Sequence, residues 1–365
     1  MNKTVSFYFL INLLIVSSMT AQGPKMIISS NAQESAHGLY VFDYHSSDGS
    51  LLLIHKTEVV TNSSYHNMHP KKSWLYSVAN DQVRAFVFDP NDGSLSLINI
   101  ESTVNKGPCY VYVDKSGQFV LVANYGGGGI ASFKIENDGS LSSAISAIKH
   151  EGSSVDEKRQ QAAHPHLIMT SPENKFALVP DLGMDQVVIY RLDGKSGELN
   201  KHGSCTVAPG AGPRHLEFHP NNKYLYLLNE LNSTVGAYQW SEEKGELQEI
   251  ETYSALPEGF SDFSKAADIH LTSNGKYLYA SNRGHNSLAA FKVHSDGTLE
   301  FIDHYDVKGD WPRNFFITPD DRFLFVANRR SDSVVQFAID ADTGVLSYKK
   351  TTHGIPGALC IKMVE

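Results

Sequence analysis

An all-β fold is predicted, a seven-bladed β-propeller closed by a C-terminal strand that completes the first blade. Three recurrences carry this reading. The first is an apolar run ending in Asn or Asp, at Asn31, Asn80, Asn124, Asp181, Asn229, Asn282 and Asn328. The second is a glycine turn of the Asp-Gly-Ser-Leu type, at Gly49, Gly93, Gly139, Gly197, Gly245, Gly297 and Gly344. Between them lies an alternating segment with an aromatic near its end: Phe42, Phe86, Phe133, Tyr190, Tyr238, Phe291 and Phe337.

Period-2 alternation marks half-buried strands, and Gly supplies the positive φ of tight hairpin turns. Each repeat reads as four strands, A to D. Strand B ends in the Asn, strand C carries the aromatic, and the Gly turn joins C to D. A period of roughly 45–50 residues with four strands is in the propeller range. The first blade begins directly at a B-type strand (residues 26–31), and residues 357–364 read as an A-type strand with no B following. Pairing the two closes the ring and removes the exposed edges.

The chain has 365 residues, 41 % hydrophobic and 19 % charged, an ordinary globular composition. Its formal net charge of −9 and the lack of a Lys/Arg run argue against nucleic acid as a partner. Lys3, an apolar stretch over 5–16 and small residues near Ala21 read as a signal peptide over 1–21. Residues 22–365 then form one propeller domain, with no membrane span after cleavage, expected to be a periplasmic or secreted monomer. Three cysteines, Cys109, Cys205 and Cys360, make neither a disulfide framework nor a zinc site.

In a propeller, the start of strand A and the end of strand B lie at the same mouth of the central channel. Alignment on the P-x-x-K-aromatic turns gives a strand A column of Cys109, His166, Arg214, Ala267 and Arg313. The residue after the strand B Asn gives a second: Ala32, Asp81, Tyr125, Leu182, Glu230, Arg283 and Arg329. Charge gathers on blades 4 to 7, in His166, Arg214, Glu230, Arg283, Arg313 and Arg329, with Asn229 and Asn282 beside them. Two long connections, 142–163 and 254–266, flank this side of the ring; long loops in compact repeats are usually functional. Arg214 and Glu230, on neighbouring strands, are equally explained as a plain ion pair. The run Gly126 to Gly129 reads better as a B–C turn than as an anion cradle. With several cations and few carboxylates at the mouth, no metal and no cofactor are expected.

The segments AHPH (163–166), GPRHLEFHP (212–220), LLNELNSTV (227–235) and SNRGHNSLAAF (281–291) resemble the lactonase-type seven-bladed propellers, which include bacterial 6-phosphogluconolactonases and the fungal carboxy-muconate lactonizing enzyme. The resemblance covers essentially the whole mature chain. It implies that His166, with His164 the weaker choice, and Arg214, Glu230 and Arg283 carry the chemistry. His164, Asn229, Asn282, Arg313 and Arg329 are then the candidate substrate-binding groups. The implied activity is hydrolysis of a sugar lactone, anionic or phosphorylated, with the small-molecule lactone or carboxylate as partner. Either His166 or Glu230 serves as the base. The alternatives are a carboxy-muconate cycloisomerase and a non-catalytic binding platform.

Overall fold

The computed structural model describes residues 23–31, 38–57 and 62–364. The expected signal segment 1–21 and Ala32 lie outside them. Among the described residues there are seven four-stranded antiparallel sheets and no helix. The inner A strands are Tyr65–Met68, Pro108–Val113, Met169–Thr170, Pro213–Phe218, Lys265–Leu271 and Pro312–Ile317 for blades 2 to 7. The last strand, Ala358–Val364, pairs with Lys25–Ser30 and supplies strand A of blade 1. The ring therefore closes as the sequence predicts.

The repeat glycines do more than turn. All seven have φ between 69° and 88°. Each turn also abuts the preceding blade. A Cβ on Gly297 would lie 2.6 Å from the ring of Tyr224, and one on Gly344 would lie 2.4 Å from Tyr277. The Tyr226 and Tyr279 hydroxyls donate to the Gly297 and Gly344 carbonyls at 3.1 and 2.8 Å. At the seam, Gln336 of blade 7 donates to the Asp48 carbonyl of blade 1 at 3.0 Å. The core lies between successive blades; at the seam Met26, Ile28 and Phe42 pack on Phe325, Ala327 and Ile361. Each such large apolar side chain contributes about 1.5–3 kcal/mol on burial. Gly297→Ala should therefore lose about 1–3 kcal/mol in urea unfolding, through both backbone strain and the Tyr224 clash. Gly203→Ala, with nothing within 4 Å, should stay within about 0.5 kcal/mol of the parent.

The connection over 142–163 is shorter than expected, because Ser146–Lys149 forms strand D of blade 3. That strand has only four residues and no marked apolar alternation, which hid it in the sequence.

Candidate active site

Backbone irregularity builds the mouth. Pro108, Pro213 and Pro312 lie opposite Asn124, Asn229 and Asn328, and the next pairs are Tyr110–Ala123, His215–Leu228 and Asn314–Ala327. Cys109, Arg214 and Arg313 are each the extra residue of a β-bulge. A bulge re-aims a side chain out of the ladder, here at the channel mouth. His166 holds the same place in blade 4, after the single bridge between Pro165 and Asp181. The strand A column is thus a ring of bulge residues. Blade 6 keeps the pattern with a small residue: its register shifts between Ala266 and Ile269, so Ala267 takes the column position within the strand and Asp268 follows it.

A cavity of about 390 Å³ opens there. His166, Glu230, Arg283, Arg313 and Cys109 line it, together with Tyr125, Arg159, Phe263, Lys265 and Trp311. Arg214 and His215 lie beneath, around a smaller void shared with His166 and Arg313.

Glu230 is 2 % exposed, and three guanidiniums hold it. Its Oε1 accepts from Arg159 Nη2 at 2.7 Å; its Oε2 lies 3.0 Å from Arg214 Nε and 2.9 Å from Arg283 Nη2. Burial alone would raise its pKa, but Arg283, Arg214 and Arg159 hold it well below the usual carboxylate range. The pair anticipated between Arg214 and Glu230 is thus one arm of a four-membered cluster.

Arg283 is committed as well. Its Nε and Nη2 donate to the carbonyls of Lys265 and Ala266 at 3.2 and 2.8 Å, and its guanidinium lies 5.4 Å from the Trp311 ring centre. Arg313 differs, with no carboxylate or hydrogen-bond partner among the described residues. Burial, then Arg214 and Arg283, push its pKa down to about 9, so it stays charged at neutral pH. Among the described residues Lys265 has no carboxylate partner either, and its ammonium lies 5.6 Å from the Phe263 ring centre. Among the lining residues Glu230 is the single acid, so the mouth carries an excess of positive charge.

His166 is buried, with its Nδ1 3.9 Å from Cys109 Sγ and its ring edge-on to Tyr125 and His215. Burial, then Arg214, His215, Arg313 and Arg283, hold its pKa well below the ordinary value, so the ring is neutral.

The structure does not bring every expected residue to the cavity. His164 stacks on Tyr125 and donates from Nδ1 to the Tyr125 carbonyl at 2.8 Å, setting that ring against the cavity. Asn229 donates to Thr234 Oγ1 at 2.9 Å across its own B–C hairpin. Asn282 donates to the Ala255 carbonyl at 2.6 Å, as Asn328 does to Val307 at 3.1 Å. Asn282 and Asn328 thereby tie their blades to the connection entering them, as Asn124 does through the Thr103 carbonyl at 3.4 Å. Arg329 lies beside the mouth, outside the lining. The N–H groups of Gly126 and Gly127 donate to the carbonyls of Gly107 and Lys106, so that run is a turn.

The repeat pattern missed Arg159, Phe263, Lys265 and Trp311. Three of these sit in or at the end of the flanking long connections, the only sequence signal that pointed to them. The segment bearing Arg159 is fastened by Ser154 to Asp185 at 2.5 Å and by Gln160 to the Leu182 carbonyl at 2.8 Å.

Fold and site together define a closed seven-bladed propeller with a cationic, partly aromatic cavity at its mouth. The chain belongs to the seven-bladed β-propeller lactonase family, whose description, "Lactonase, 7-bladed beta-propeller", matches residues 25–363. It is 36 % identical over 335 residues to a 6-phosphogluconolactonase of Bacillus subtilis, covering 90 % of this chain and 95 % of the relative. A 6-phosphogluconolactonase of Formosa agariphila is 36 % identical over 338 residues, covering 89 % and 95 %. The structure of a periplasmic gluconolactonase of Pseudomonas aeruginosa superposes with a TM-score of 0.89 at 28 % identity, covering 94 % of this chain and 99 % of that one.

Proposed function

We propose that the protein hydrolyses a sugar lactone carrying an anionic group, of the 6-phosphogluconolactone type, to the open-chain acid. One observation carries the reading: the uncommitted Arg313 guanidinium stands beside a neutral histidine in the same cavity wall. A fork of donors without a partner suits two oxygens of a phosphate or carboxylate. The two relatives named 6-phosphogluconolactonase support the same substrate class. They favour neither the cycloisomerase nor the binding platform.

His166 takes the role of base in this scheme. It accepts a proton from water as the water oxygen attacks the lactone carbonyl, and a guanidinium at the mouth balances the developing oxyanion. When the ring C–O bond breaks, the imidazolium returns the proton to the leaving oxygen. Lactone and water become the hydroxy acid, which releases a proton to solvent at neutral pH. Glu230 is unsuited to this step because both its oxygens are occupied and its charge is held by three arginines. Its role is to fix Arg159, Arg214 and Arg283. An anionic substrate would also offset the cations beside His166 and raise its basicity.

Arg313→Gln tests the assignment. The KM for 6-phosphogluconolactone should rise about 10- to 100-fold, the cost of one or two charge-assisted hydrogen bonds, while that for unphosphorylated gluconolactone moves little. Equal effects on both would assign Arg313 to the oxyanion instead. Export to the periplasm or beyond is proposed on residues 1–21 and agrees with the periplasmic neighbour; cell fractionation tests it.

A further inference from the structure

Behind the mouth, inner strands of four blades are joined by a line of side chains. Arg214, 2 % exposed, sets Nη1 3.2 Å from His215 Nε2. A guanidinium only donates, so His215 Nε2 is the acceptor and its proton sits on Nδ1. That Nδ1 donates to Asp268 Oδ1 at 2.7 Å. Asp268, 1 % exposed, uses its second oxygen for three donors: the Phe315 N–H at 3.2 Å, His270 Nε2 at 3.2 Å and the Asn314 side-chain amide. Asn314 is oriented in turn, its Oδ1 accepting from the Ile361 N–H at 2.8 Å. Burial and Arg214 push His215 down to about 3, so it remains a neutral ring with one proton to place.

We infer that Asp268 is a positioning residue for the mouth, holding His215 in the one tautomer that accepts from Arg214 and so fixing the Arg214 guanidinium against Glu230. The inference rests on the lactonase reading for its kinetic consequence, not for its structural one. A buried carboxylate that accepts from one imidazole nitrogen fixes which nitrogen carries the proton.

Asp268→Asn tests this role with a change of one atom and little volume; it also removes the carboxylate facing His270 Nε2, which the double variant with His215→Leu controls for. The three donors at Oδ2 require an acceptor, so the new amide must turn its oxygen to them and its NH2 to His215 Nδ1. Nδ1 then becomes the acceptor, the proton moves to Nε2, and a donor faces the donor of Arg214. A mis-set guanidinium in the mouth should reduce kcat/KM on the order of 100-fold.

The experiment is made on the full mature chain. Proton–nitrogen correlation spectra of 15N-histidine-labelled protein, with the His215 signal identified by its loss in His215→Gln, report the tautomer directly. The expected result is a proton on Nδ1 in the parent and on Nε2 in Asp268→Asn. Lactone turnover is measured alongside in Asp268→Asn, His215→Leu and the double variant, where the Asp268 substitution should add nothing once His215 is gone. An unmoved tautomer, or full additivity in the double variant, overturns the inference. If the parent hydrolyses no lactone, the activity reading fails while the tautomer measurement still decides this one. Should Asp268→Asn not fold, His215→Gln carries the test. Its amide can both accept from Arg214 and donate to Asp268, so it should retain more activity than His215→Leu; equal loss in the two overturns the inference.

Discussion

Glu230→Gln should lose about 3–5 kcal/mol of stability together with its activity, because it removes the one acid from among three guanidiniums. Arg214 is fully enclosed and Arg283 nearly so; without the carboxylate their charges remain in a poorly solvated place. The amide that replaces one oxygen also presents donors to donors. The contribution has a defined pH dependence. Glu230 has a depressed folded-state pKa, so its stabilisation is complete above the unfolded value of about 4.3 and is lost as the pH falls below it. Urea unfolding at neutral pH should show the deficit, and the gap between variant and parent should narrow in acid. Added phosphate or sulfate should partly restore the variant by binding the uncompensated guanidiniums from the cavity side. Arg313→Gln should behave oppositely, leaving stability unchanged or raised, since it removes an unpaired cation from beside Arg214 and Arg283. A Glu230→Gln protein as stable as the parent would mean the cluster is far better solvated than its burial indicates.

His166→Gln should reduce kcat by about 10²–10⁴-fold, the range of a general base, with little change in KM or fold. The pH profile of the parent distinguishes this from a structural loss. The His166 pKa is lowered in the folded protein, so the ring is already neutral at its ordinary value of about 6.5. The free enzyme should therefore hold its kcat/KM through that pH and decline only in more acidic solution. Stability has the matching sign: an unfolded His166 takes up a proton below about pH 6.5 and the folded one does not. The parent thus loses about 1.4 kcal/mol per pH unit through this residue on acidification, and His166→Gln removes that slope.

The ring was legible because its devices repeat. A glycine at each C–D turn serves the same geometry seven times, and an Asn, replaced by Asp181 in blade 4, recurs at the end of strand B; periodicity exposes such demands. The bulge residues were legible by contrast, as positions where a structural repeat varied in charge. What escaped was set by contacts distant in sequence. Arg159 reaches Glu230 across 71 positions, and nothing in its own segment announces that partner. Asp268 was passed over because it stands one place after the column, as His215 and Asn314 do in blades 5 and 7, and Ala267 filled the column position in blade 6. Asn229 and Asn282, expected beside the mouth, have their amides bonded within the blades, to Thr234 and to the Ala255 carbonyl.

The most direct test is proton release from 6-phosphogluconolactone and from gluconolactone, followed by pH-stat at about pH 6, below the ordinary histidine pKa of about 6.5. Purified protein should release acid well above the spontaneous rate, faster with the phosphorylated lactone, and His166→Gln should fall to near the spontaneous rate. Parent protein no faster than buffer on either lactone, or His166→Gln as active as the parent, would contradict the assignment of this mouth as a histidine-dependent lactonase site.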